Sequence, residues 1–182
     1  MTTDKIEAGY LPAYLGIRGR LGSAARVCEL GVERGESLLL WRGLFPDGAI
    51  TGVDHKRHEE LNLHGCRFVE MDQADPALPG VLGGEFDLIV DDCSHRGDLT
   101  AASFAHLWPL LALGGYYVIE DWMIGLRGFC DHPMYDPGMV AVAAGMIERL
   151  TSPDAEVDEI TYRYGLCVVH RKAGNGDFQA VP

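Results

Sequence analysis

Short and almost continuously apolar runs recur along this chain, at 26–30, 49–53, 66–70, 86–90 and 116–119. A strand with one wet face alternates apolar with polar residues, and these runs do not, so helices must cover both sides of the sheet they form. The intervening segments supply those helices. Leu38, Trp41 and Phe45 mark one. Phe104, Leu107, Trp108 and Leu111 form an i, i+3, i+4, i+7 stripe in another, stopped by Gly114-Gly115. Val140, Ala143, Ala144 and Ile147 share a side of a third, after Pro137. Two further runs, 157–164 and 166–170, have only Gly165 near their junction. A parallel crossover needs about a dozen residues or more, so these two must pair as a hairpin. The expectation is an α/β, doubly wound, mostly parallel seven-stranded sheet with one antiparallel strand in a C-terminal hairpin. The organisation read from this pattern is an opening lid or helical segment over 1–25, a single domain over 26–173 and a flexible tail over 174–182.

Charge narrows the partners. With 15 Lys+Arg against 27 Asp+Glu, the formal net charge is -12, which argues against a protein that neutralises nucleic-acid phosphates and favours a small-molecule partner. Lys5, Arg18, Arg20 and Arg26 make the opening locally basic and read as a solvated face. The five cysteines, Cys28, Cys66, Cys93, Cys130 and Cys167, show no C-x-x-C spacing and read as free thiols of a reducing compartment. No basic-then-apolar leader opens the chain, and no apolar run approaches the roughly 18 residues of a membrane span, so a soluble, cytoplasmic protein is expected.

In a doubly wound sheet, ligands sit beyond the carboxyl ends of the strands, and here those ends are acidic. The first strand leads through Glu29, Gly31 and Gly35 into a helix beginning near Glu36-Ser37. A pyrophosphate turn wants a middle glycine where this chain has Glu33, which disfavours a dinucleotide. S-adenosylmethionine carries no phosphate, and its ammonium suits an acid such as Glu29 or Asp91. Asp54 follows Gly31 by roughly the 20 residues expected of the acid that takes ribose hydroxyls. Asp72-Gln73 ends the third strand, where a carboxylate and an amide can read an adenine edge; taken singly, Asp54 or Asp72 is equally a helix cap.

The fourth strand ends in Asp91-Asp92-Cys93-Ser94-His95 and the fifth in Glu120-Asp121-Trp122. Oxygen ligands from Asp92, Glu120 and Asp121 select a hard cation, Mg²⁺ with Mn²⁺ or Ca²⁺ as alternatives, rather than zinc. A metal lowers the pKa of a coordinated hydroxyl, and His95 has the intrinsic pKa of a general base, so Asp92 and His95 are the candidate catalytic pair. Trp122, Phe129, His132 and Tyr135, among glycines and prolines, read either as an acceptor-binding loop or as cover for a sheet edge. His55, His58 and His64 match no metal spacing and read as surface residues.

These runs, together with Gly9-Tyr10-Leu11-Pro12-Ala13-Tyr14, resemble the metal-dependent sugar O-methyltransferases, a family acting on macrolide deoxysugars in mycinamicin and tylosin biosynthesis. The resemblance spans roughly residues 9 to 125. It implies metal ligation by Asp92, Glu120 and Asp121, a base at His95, and cofactor contacts from Glu29, Gly31, Asp54, Asp72, Gln73 and Asp91. It also implies a lid made by Tyr10 and Tyr14, a glycoside as acceptor and a homodimer. Cys93 stands where the family usually has glycine. The residues alone leave open a catechol-type O-methyltransferase and a catalytically silent adenosyl-binding module.

Overall fold

Each apolar run forms a strand, with ends shifted by a few residues: β1 (Val27–Leu30), β2 (Ile50–Asp54), β3 (Arg67–Glu70), β4 (Phe86–Asp91), β5 (Leu111–Glu120), β6 (Val157–Tyr162) and β7 (Leu166–Arg171). The helices are α1 (Asp4–Glu7), α2 (Leu11–Leu21), α3 (Glu36–Leu44), α4 (Leu78–Leu82), α5 (Gly97–Leu107) and α6 (Pro137–Thr151). This computed structural model describes residues 3–126, 136–152 and 156–174. The strands lie in the order β3-β2-β1-β4-β5-β7-β6, with β7 antiparallel to both its neighbours and the remaining pairs parallel. Chain order reverses between β1 and β4, which is where a doubly wound sheet opens a crevice for a ligand.

Alternation along the strands divides the interior into two cores. Leu30, Ile89, Tyr117 and Ile119 face α4, α5 and α6, while Val27, Leu88, Val90, Tyr116 and Val118 face α2 and α3. The same parity sends the acids to different sides. Glu29 and Glu120 share the register of the α2 side, and Asp91 shares that of the α5 side.

Two helical expectations need correction. Leu111 is not helical: α5 stops at Leu107, a 3-10 turn covers Trp108–Leu110, and Leu111 already pairs with Phe86. Pro109 is the reason, because it has no N–H to donate to the carbonyl one α-helical turn before it and so cannot continue the ladder. Gly114-Gly115 therefore lies in a β5 irregularity, with Gly114 at φ 77°, rather than at a helix end. In α6 the buried face is Met139, Ala143 and Met146, whereas Ala144 and Ile147 are exposed; the sheet selected the neighbouring stripe.

Candidate functional site

The turn after β1 is shaped by backbone constraints. Gly31, at φ 83°, lies so close to β4 that a Cβ would run into the Asp92 carbonyl oxygen; Gly35, at φ 88°, is equally tight against the carbonyl of Asn62. Both glycines are thus required by the packing of one chain segment on another. Asp54 completes the turn: its Oδ2 accepts from the N–H groups of Val32 (3.1 Å) and Glu33 (3.0 Å), while His55 Nδ1 lies 2.8 Å from Oδ1.

Beside this turn opens a cleft of about 590 Å³, within the ~300–1,000 Å³ usual for small-molecule sites. Gly31, Ser37, Asp54, Asp92, Cys93 and His95 line it, together with Asp4, Glu7, Glu33, Glu36 and the histidines His55 and His58. An acidic wall of this kind suits a cationic ligand and repels a phosphate. Of the residues expected to hold a cofactor, Gly35 does not line it, its place being against Asn62, and neither do Glu29, Asp72, Gln73, Asp91 and Tyr14.

What those five do is specific. Asp91 is buried towards α5, accepting from Ser103 Oγ, Gln73 Nε2 (3.3 Å) and Tyr117 Oη (3.4 Å); burial pushes its pKa up to about 7 against the pull of these bonds. Gln73 donates to Asp91 and Ser103 and accepts from the Ser94 N–H (3.1 Å), pinning the loop that carries Asp92 and His95. Asp72 accepts from the Ala74 N–H at 2.8 Å, the local turn an aspartate makes with the backbone two residues on, and it caps no helix among the described residues. Ser37 donates to Glu29 Oε2 at 2.6 Å. Tyr14 is 1% exposed and donates its hydroxyl to Glu120 Oε1; Tyr10, 4% exposed, donates to Asp121 Oδ1 at 2.5 Å. The two tyrosines are packed in the core against the acids and do not overhang the cleft.

The residue that the sequence reading misjudged is Lys5. It is not on a solvated face but 1% exposed, with Nζ 2.5 Å from Asp92 Oδ2, 3.0 Å from Glu120 Oε1 and 3.2 Å from Glu29 Oε1. Burial alone would lower its pKa, but the Asp92, Glu120 and Glu29 carboxylates hold it well above the usual lysine value. In turn, burial raises all three acids, Glu120 to about 8, while the ammonium pulls each of them down. No spacing signal could have found a partner 87 positions away. The other three cations are also engaged: Arg18 with the Leu44 carbonyl, Arg20 with Tyr116 and Arg26 with Asp87.

At the rim, Asp92, His95 and Asp121 each offer a ligand atom within 4.8 Å of the others. His95 Nε2 lies 3.8 Å from Asp92 Oδ1 and 3.9 Å from Asp121 Oδ2. These separations are too long for hydrogen bonds, and the two carboxylate oxygens turned toward one point beside the imidazole are the hard donors that suit a small divalent ion. His95 and Asp121 both sit at positive φ, 51° and 53°, as do Glu33 and His64, a conformation uncommon for residues with a side chain. Asp136 ties the neighbourhood together, accepting from the N–H groups of Gly97 (2.7 Å) and Gly138 (2.8 Å). Glu120 is not in the rim group, its Oε1 being turned to Tyr14 and Lys5. Trp122 donates to the Arg163 carbonyl (3.1 Å) and meets Tyr162 edge-on, so its indole joins the rim to the β6-β7 hairpin. His132, Tyr135, Phe129 and Cys130, and residues 175–182 of the expected tail, lie outside the described residues.

A family model described as a methyltransferase domain matches residues 28–122, just over half of the chain. The chain belongs to that family. Among curated relatives of this methyltransferase domain, the mycinamicin VI 2''-O-methyltransferase of Micromonospora griseorubida is 36% identical over 115 residues, covering 57% of this chain and 29% of that protein. The 8-demethyl-8-(2-methoxy-alpha-L-rhamnosyl)-tetracenomycin-C 3'-O-methyltransferase of Streptomyces olivaceus is 34% identical over 137 residues, covering 70% and 33%. The chain therefore spans about a third of the length of these relatives. A solved structure of MycE methyltransferase from the mycinamycin biosynthetic pathway, in complex with Mg and SAH, superposes with a TM-score of 0.76 at 26% identity, over 95% of this chain and 52% of that one. The doubly wound sheet with its reversed strand is the fold this chain shares with that structure. No helix among the described residues is long and apolar enough to cross a membrane.

Proposed function

We propose that this domain is an S-adenosylmethionine-dependent, Mg²⁺-assisted O-methyltransferase acting on a hydroxyl of a sugar or glycosylated natural product. The observation that carries the reading is the Asp92–His95–Asp121 group at the mouth of an acidic, phosphate-averse cleft. The named sugar O-methyltransferases among its relatives support the acceptor class. A sulfonium donor is a cation, and the walls contributed by Glu33, Asp54 and Asp92 suit it. Asp92 and Asp121 would hold the ion through the oxygens facing His95, with Glu120 behind them. When bound, the ion lowers the pKa of an acceptor hydroxyl and orients its oxygen. His95 accepts the hydroxyl proton at Nε2, which lies 3.8 Å from Asp92 Oδ1 and 3.9 Å from Asp121 Oδ2. The acceptor oxygen forms the new bond to the methyl carbon as the carbon–sulfur bond breaks, its electron pair remaining on sulfur. The products are a methyl ether, S-adenosylhomocysteine and protonated His95.

The test is methyl transfer from labelled cofactor to a panel of glycosides and catechols. Glycoside methylation that falls by about 100-fold or more in His95→Ala and Asp92→Ala is the expected result. Undiminished rates in both variants would overturn the mechanism. Catechol turnover alone would move the acceptor, and cofactor binding without turnover on any acceptor would leave a silent module.

A further inference from the structure

We propose that Lys5 and Tyr10 are positioning residues that aim one oxygen of each rim aspartate at a common point beside His95. The inference rests on the reading of Asp92 and Asp121 as carriers of a divalent ion. Each of these carboxylates divides its oxygens between two tasks. Asp92 Oδ2 is held by Lys5 Nζ at 2.5 Å, and its Oδ1 faces His95 Nε2 at 3.8 Å. Asp121 Oδ1 is held by Tyr10 Oη at 2.5 Å, and its Oδ2 faces the same nitrogen at 3.9 Å. A carboxylate turns about its terminal torsion, so fixing one oxygen fixes where the other points.

Both donors come from one short turn. The Tyr10 N–H donates to the Lys5 carbonyl at 2.8 Å, with Gly9 at φ 79° making the reversal, which locks the spacing between ammonium and phenol. Each donor is braced from behind. Glu29 and Glu120 hold the ammonium, and the β6-β7 hairpin backs the phenol so closely that a Cβ on Gly165 would overlap its ring. Charge neutralisation alone does not account for the arrangement, because the neutral Tyr10 treats Asp121 as the cationic Lys5 treats Asp92.

Deleting the Lys5 ammonium also exposes buried carboxylates to one another, so Tyr10→Phe, which removes one oxygen, is the deciding variant. Mn²⁺ titration followed by electron paramagnetic resonance, with thermal unfolding alongside, reads it directly. The expected result is ion affinity weakened by about 10–100-fold with an unchanged unfolding midpoint. The methyl-transfer defect should then narrow as Mg²⁺ is raised, a rescue that a merely structural role would not show. Gly165→Ala, which displaces the same hydroxyl, should weaken the ion in the same direction. Wild-type affinity in a folded Tyr10→Phe protein overturns the proposal while leaving the proposed activity standing. Ion binding that depends on Tyr10 in a protein that methylates nothing supports the positioning role and refutes the activity. A wild-type protein that takes up no ion refutes both.

Discussion

Replacing Lys5 with Met keeps the length and apolar stem of the side chain and removes its charge. Three oxygens lie 2.5–3.2 Å from Nζ, on side chains no more than 12% exposed. At an effective dielectric constant of about 20, each such contact represents roughly 5–7 kcal/mol of gross attraction. The net cost of the substitution is much smaller, because burying the ammonium itself costs several kcal/mol and the abandoned acids can escape by binding protons. Glu120 sits at about 8 even with Lys5 pulling it down, so at pH 7 it carries its proton in either protein; Glu29 and Asp92, raised by burial and lowered by the same ammonium, are the acids that its loss drives further toward protonation. Taking up a proton at pH 7 costs a carboxylate of ordinary pKa ~4.3 about 3–4 kcal/mol. We therefore expect Lys5→Met to lose about 3–5 kcal/mol at pH 7. The pH dependence has a definite sign. An acid whose folded pKa is raised contributes stability that is complete below its unfolded pKa and lost as pH rises through the folded one. The deficit of the variant should accordingly be small near pH 4.5 and grow through pH 8. Urea denaturation followed by circular dichroism at pH 5, 7 and 8.5 measures it. A loss under about 1 kcal/mol at pH 7, or a deficit that does not grow with pH, would refute the account of the cage.

Gly31→Ala should cost about 2 kcal/mol or more, since it combines left-handed strain with a Cβ driven into the Asp92 carbonyl, and should weaken ion binding by moving Asp92; urea titration and Mn²⁺ binding check both effects. Asp91→Asn removes a carboxyl whose pKa is pushed up to about 7, so the stability of the variant relative to wild type should improve from pH 5 to pH 8, and a flat difference across that window would contradict the burial assigned to Asp91.

Much of this molecule is readable in one dimension because the relevant physics is local. Uninterrupted apolar runs separated by helical spacings dictate strands covered on both faces, and two runs meeting at Gly165 can only form a hairpin. The acids at strand ends are legible too, since the sheet must present those ends together. Where the reading failed, the cause was nonlocal. Leu111 completes a helical stripe on paper, but Pro109, which has no N–H for the helical ladder, and pairing with Phe86 convert it to strand. That Gly31 and Gly35 must also clear the Asp92 and Asn62 carbonyls is set by segments far along the chain, which no local spacing shows. Asp91 and Asp92 are neighbours, yet strand parity buries the first beneath α5 and leaves the second on the cleft.

From the sequence by itself follow the sheet, its hairpin and an acidic rim, since periodicity and charge are properties of neighbours. Tertiary structure alone decided which acid faces which partner. A buried ammonium is tolerated only where carboxylates from three separate strand ends converge on it, and that convergence at Lys5 exists only once β1, β4 and β5 lie side by side.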